Sequence, residues 1–189
     1  MKKIRSRTTD VAFKFRMGAG YPGDVTRTHP VDIFPELADS TNPPVFAGQG
    51  VIVDSSSHAV RKLVTGDGVS GVTLYGITVR TFPFQQSQTG TSSYDGKSNF
   101  GAVGFGGANL PVTPEVDIMR RGTMIVAVPA GQTPVKGGAV YIWNVASTGV
   151  HVQGTFEALN GTTNTTLVSN AVWNSGADAN GYAEIAFNI

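Results

Sequence analysis

The sequence predicts an all-β fold, a β-sandwich or jelly-roll-like body of eight to ten strands with an extended N-terminal arm. Three observations predict it. Helix signals are nearly absent: the best window, Asp32-Ile-Phe-Pro-Glu-Leu-Ala-Asp39, is short, and Pro35 limits it to one turn at most. Runs of β-branched and aromatic residues recur between Gly- and Pro-rich breaks. The last segment, Tyr182-Ala-Glu-Ile-Ala-Phe-Asn-Ile189, alternates to the final residue after Asn180-Gly181, a hairpin-turn pair expected to supply the positive-φ positions.

Taken in order, residues 1–27 read as a basic arm and glycine hinge, and residues 28–189 as a single β domain. Residues 1–16 hold Lys2, Lys3, Arg5, Arg7, Lys14 and Arg16 against Asp10, a net of +5, while the rest of the chain carries −4. A basic arm on a mildly acidic body is an interaction tail. Gly18-Ala-Gly-Tyr-Pro-Gly23 matches GxGxxG after the strand-like run 11–17. The fingerprint needs a helix to open behind the glycines, because the helix N-terminus holds the pyrophosphate. Pro22, the β-favouring run Val25-Thr-Arg-Thr28 and Pro30 forbid that helix. The glycines therefore read as a turn joining arm to body.

Val72-Thr-Leu-Tyr-Gly-Ile-Thr-Val79 reads as a strand with Gly76 at a bulge or close approach. The stretch 85–99 reads as a long polar loop, and the glycine-rich 101–107 as a connector without the Lys and Ser/Thr of a phosphate loop. Thr123-Met-Ile-Val-Ala-Val128 reads as a strand covered on both faces, and Ala139-Val-Tyr-Ile-Trp143 as its hairpin or meander partner across the turn-rich 129–134. Arg120-Arg121 enter the first of these; adjacent strand residues face opposite ways, so one is placed to meet a partner. Leu167–Trp173 and Tyr182–Ile189 form the C-terminal pair.

Charged residues are only 14% of the chain, against roughly a quarter in an average soluble domain. With 24 Gly and 10 Pro, such a surface suits a protein packed against others. No Cys is present, which excludes disulfides, thiol catalysis and zinc–thiolate sites. No run approaches a membrane span, and Lys14 and Arg16 interrupt the place of a cleaved export signal's apolar core. His29, His58 and His151 are isolated, so no metal is expected. Asp178-Ala-Asn-Gly181 opens like a calcium loop, but position 12 is Ile189 where a bidentate Glu is needed. Asp54-Ser-Ser-Ser-His58 bunches triad residue types without an oxyanion hole or a GxSxG elbow, and reads as a solvated loop. Neither catalysis nor a cofactor is expected.

Several segments together resemble the structural cement (decoration) proteins of tailed bacteriophage capsids. They are Gly20-Tyr-Pro-Gly-Asp-Val-Thr-Arg27, Leu74-Tyr-Gly-Ile-Thr-Val-Arg80 with Pro83, and Ile118-Met-Arg-Arg-Gly122. Pro134-Val-Lys-Gly-Gly-Ala-Val-Tyr141 and the ending Gly176–Ile189 complete the set. The resemblance spans nearly the whole chain and rests on turn and strand patterns, not on a chemical signature. It implies a non-enzymatic virion protein on the capsid exterior, present in host cytoplasm during assembly. Its partners would be the major capsid protein and other copies of itself, as dimer or trimer, with no membrane partner. It would bridge neighbouring capsid subunits against internal DNA pressure. Candidate contacts are Lys2, Lys3, Arg5, Arg7, Tyr21, Asp24, Arg27, Arg120 and Arg121. Two rival readings are open. Trp143, Trp173, Tyr94 and Tyr141 would serve a carbohydrate-binding module, although the tryptophans fit core positions better. The basic arm would serve nucleic-acid binding, but lacks the interleaved aromatics of single-strand binders, so nucleic acid is not the expected partner.

Overall fold

A computed structural model of the chain describes residues 20–67, 73–80 and 115–189. The fold is all-β. Nine strands are present among these residues: β1 (Asp32–Leu37), β2 (Gly50–Val53), β3 (Val60–Lys62), β4 (Gly76–Thr78), β5 (Glu115–Ala127), β6 (Ala139–Trp143), β7 (Phe156–Glu157), β8 (Thr165–Trp173) and β9 (Tyr182–Phe187). They form one antiparallel sheet in the order β3-β2-β4-β5-β9-β8-β6-β7, with β1 as a side branch on β5. The sheet curls into a half-barrel.

β5 organises the curl because it serves both halves. Its first part pairs with β1 and β4, and its second part, from Gly122, pairs with β9. Gly122 stands at the change of partner with φ +145, and a Cβ there would lie 2.9 Å from Met119 Sδ and 3.3 Å from Val31 Cγ2. The missing side chain lets residues 27–31, with the cis His29–Pro30 bond, cross over β5. The chain thus lies along β5 at residues 23–26 and runs on in the same direction as β1, both segments pairing antiparallel with β5. Sheets turn corners at such points.

The main core fills the inside of the curl. Leu63, Leu74, Ile77 and Met119 from one half meet Ile142, Phe156, Trp173, Ile185 and Phe187 from the other. Every one of these side chains is buried. The two ends of the curl also touch. The Gly50 amide donates to the Gly154 carbonyl at 3.0 Å, and a Cβ on Gly50 would stand 2.5 Å from Ile142 Cδ1. Gln49, almost fully buried, links the same place: its side chain donates to the Gln153 carbonyl and accepts from the Val45 amide.

Three local expectations are corrected. Residues 32–37 form a strand, not a helical turn: β5 offers them backbone partners, and Pro35 is tolerated on an edge strand. β5 and β6 are not a hairpin, because β9 and β8 lie between them. In the C-terminal hairpin only Gly181 has positive φ (+78). Asp178 Oδ1 accepts from the amides of Asn180 and Tyr182, so the turn is held by a carboxylate cap and does not need Asn180 in a left-handed conformation. The β8–β9 pairing itself is as expected, with Trp173 opposite Ile185. Gly76 is a close approach: a Cβ there would lie 2.3 Å from Ile118 Cγ2. The stretches 85–99 and 101–107 lie outside the described residues.

Candidate functional site

From Gly20 on, the segment that resembles a nucleotide fingerprint folds as a tight turn docked on β5. In Tyr21-Pro-Gly-Asp24 the Asp24 amide donates to the Tyr21 carbonyl at 2.9 Å and Gly23 has φ +88. Pro at the second and Gly at the third position are what a type II turn demands. The Asp24 carboxylate accepts from the Tyr21 amide (2.9 Å) and pairs with Arg80 Nε (2.7 Å). Arg80 in turn lies 4.8 Å over the Tyr21 ring. Gly23 donates to the Ile125 carbonyl and Ile125 to the Asp24 carbonyl, so the turn is stitched to β5 on both sides of its last residue. The glycines here serve close packing: a Cβ on Gly23 would lie 2.6 Å from the Ala47 Cβ. No helix follows, and no anion site is built.

Arg27 continues this surface. Its guanidinium is 3.5 Å from Glu184, which also accepts from Thr26 Oγ1 and the Asn174 side-chain amide. Arg120 and Arg121 are both exposed. Arg120 lies 4.4 Å over the Tyr75 ring and 6.0 Å from the Phe34 ring, and the Tyr75 hydroxyl donates to Glu36. The hydroxyl hydrogen bond to Glu36 raises the Tyr75 pKa, helped by burial. Tyr21 and Asp24 thus meet through Arg80, and Arg27 joins them through the same strip of chain, whereas Arg120 and Arg121 stand on the other half of β5. Lys2, Lys3, Arg5 and Arg7 lie outside the described residues. Arg80 and Glu184 were not anticipated; their roles come from partners 56 and 158 positions away, which spacing does not reveal.

Elsewhere the polar groups are structural. Glu157 is buried, accepting from Gln132 and 2.8 Å from His151 Nδ1. Burial pushes its carboxyl pKa up, while His151 and Gln132 restrain the rise. The His151 ring stacks on Trp143 at 4.2 Å. Asp54, in the serine loop, caps the amides of Ser56 and Ser57 and takes a hydrogen bond from the Ser56 hydroxyl, which draws its pKa well below the ordinary carboxylate range. His58 in that loop is exposed with φ +57 and belongs to no triad geometry. Among the described residues no group of His, Asp and Glu could hold a metal ion.

Comparison with known proteins agrees with this absence of chemistry. A family model described as "Structural cement protein (E217 gp24/Pam3 gp6)", a family of phage proteins, matches residues 10–188. The chain belongs to this family. It is accordingly a structural component of a phage virion capsid and not an enzyme. A chain in the solved capsid of Myoviridae phage XM1 shares the fold, with a TM-score of 0.63, 16% identity and 92% of each chain covered. No curated protein sequence matches. The segments that carried the resemblance are those that, in this cement protein, form the docked turn, β4, the middle of β5, the β6 entrance and the C-terminal hairpin.

Proposed function

We propose that the protein binds the outside of the assembled capsid, bridges neighbouring major capsid subunits and holds the shell against the pressure of packaged DNA. The family match over residues 10–188 carries this reading. The electrostatics support it: a basic N-terminal segment joins a mildly acidic body at a turn held by three contacts, Tyr21, Asp24 and Arg80. Lys2, Lys3, Arg5 and Arg7 supply contacts to an acidic capsid surface, with Tyr21, Arg27, Arg120 and Arg121 as further contacts on the body; Asp24 acts by holding Tyr21 and Arg80. Weak contacts repeated by shell symmetry add up to a large total affinity. The carbohydrate reading loses its tryptophans, since Trp143 and Trp173 are 5% and 1% exposed, while Tyr94 lies outside the described residues.

The test is co-sedimentation of the purified full chain with capsids lacking it. Binding at a fixed copy number per capsid, with a raised temperature of DNA release, is the expected result. No binding, or binding that leaves DNA release unchanged, would remove the bridging role.

A further inference from the structure

Two exposed arginines of β5 carry no acid. Arg27 holds Glu184, Arg61 holds Asp54 and Asp67, and Arg80 holds Asp24. Among the described residues no carboxylate pairs with Arg120 or Arg121. A bulge brings these two together. From Asp32 to Ile33 the chain advances one residue on β1, while the partner position moves two along β5, from Arg121 to Met119. A bulge re-aims side chains, so the opposed directions expected of neighbouring strand residues do not hold here. Arg121 is in register with Asp32, which shares a face of β1 with Phe34 and Glu36. Arg120 lies over the Tyr75 ring and beside the Phe34 ring on that same face. Both guanidiniums thus stand on one face, next to a phenyl ring that is 47% exposed.

Adjacent like charges repel, and an anion between them relieves that repulsion. A guanidinium laid on an aromatic ring has also given up part of its freedom before any partner arrives. Its planar fork of donors takes a carboxylate through two parallel hydrogen bonds. The surroundings select which anion fits. Asp32 is exposed at the Arg121 end of the face, and Glu36, accepting from the Tyr75 hydroxyl, stands past Phe34 at the other. A run of phosphates, as on nucleic acid or an anionic lipid surface, would meet these acids and a body of net negative charge. A polypeptide escapes that conflict. It can set one Asp or Glu on the arginines, an apolar side chain on Phe34 and a basic one near Asp32 or Glu36. We infer that the Phe34–Tyr75–Arg120–Arg121 face is a carboxylate clamp whose ligand is an Asp or Glu side chain on a surface segment of the major capsid protein. The identity of the partner rests on the capsid-binding reading; the chemistry of the clamp rests on the geometry of β1 and β5.

The experiment uses the full chain and capsids lacking it. Arg120→Glu combined with Arg121→Glu, exposed positions at which circular dichroism should show an unchanged fold, should weaken co-sedimentation about tenfold or more. An Arg121→Lys variant, bound to capsids and treated with a carbodiimide, should form an amide cross-link through its new amine to an Asp or Glu of the major capsid protein. Mass spectrometry locates that acid, and the cross-link should be absent from the wild type. Replacing the located acid by Arg should weaken binding of the wild type and restore binding of Arg121→Glu alone, a rescue that no merely structural role gives. Wild-type binding that the double variant leaves unchanged, or no cross-link from position 121, would overturn the clamp and leave the cement reading standing. No binding by the wild type would remove the cement reading, and the stated ligand of the clamp with it. A cross-link to an acid of another copy, or binding of duplex DNA or anionic lipid vesicles that the double variant loses, gives the face a different ligand and likewise overturns the inference.

Discussion

Gly76 shows how a single residue sets the approach of two paired strands. A Cβ there would stand 2.7 Å from the Met119 carbonyl oxygen as well as against Ile118, and backbone does not yield cheaply. Gly76→Ala should lower stability by about 1–3 kcal/mol, measured by urea unfolding with an unchanged slope. Glu157 belongs to the same scale. Its folded-state pKa is raised, first by burial, so the folded protein keeps the proton to higher pH than the unfolded chain. Stability from this group is greatest below the ordinary glutamate range and falls as pH rises through the raised value. Glu157→Gln should flatten that part of the stability–pH curve, a result read from urea midpoints at pH 4 to 7. These two differ in what the sequence discloses. A glycine inside a β-rich run announces a close approach, whereas nothing around Glu157 announces burial, because Gln132 and His151 reach it from separate loops.

Among the elements, β5 explains both what was legible and what was not. Its apolar run was plain, and so was the alternation of β9. The strand nature of Asp32–Leu37 was hidden, because the segment read as at most one helical turn, limited by Pro35, and only pairing to residues some eighty positions away overrides that local preference. The expected β5–β6 hairpin failed for a related reason. Consecutive strands are neighbours only about two-thirds of the time, and here the C-terminal hairpin inserts between them. The candidate site was half legible: Tyr21, Asp24 and Arg27 were named through the family resemblance, but the Arg80 and Glu184 that the structure sets beside them lie far along the chain. Gly122, where the crossing takes place, gives the sharpest test at this scale. Gly122→Ala meets both a φ of +145 and Met119 Sδ, and should destabilise by about 1–3 kcal/mol in chemical unfolding. Thr123→Ala, one residue on and buried without such a constraint, should lose less.

The whole molecule should be acid-sensitive on account of three aspartates. Asp39 and Asp54 are held low by hydrogen bonds, from the Asn42 amide and the Ser56 hydroxyl first. Asp67 is lowered although burial opposes it, because Arg61 grips it with two hydrogen bonds of 2.8 and 3.0 Å. Groups with depressed folded pKa values stabilise fully above their unfolded values, near 4, and lose that contribution as pH falls. Thermal melting should therefore decline below about pH 4, and Asp67→Asn should reduce the decline. Removal of residues 1–16 should leave melting of the body unchanged and reduce capsid occupancy, the remaining binding being less sensitive to salt. Undiminished occupancy of the truncated protein would place the capsid contacts on the body.

The crossing at Gly122 also decides where tension goes. Residues 23–26 run antiparallel to β5 and are hydrogen-bonded to it through Gly23, Ile125 and Thr26, and the chain then passes over Gly122 and runs on in the same direction as β1. A pull on the N-terminal segment meets the Tyr21–Asp24 turn first, and through it the Asp24–Arg80 pair and the hydrogen bonds to β5. The strap over Gly122 stands behind these bonds in the chain and is loaded only after they part. Force reaching this end of the chain is thus delivered to the longest strand, which shares it between both halves of the sheet.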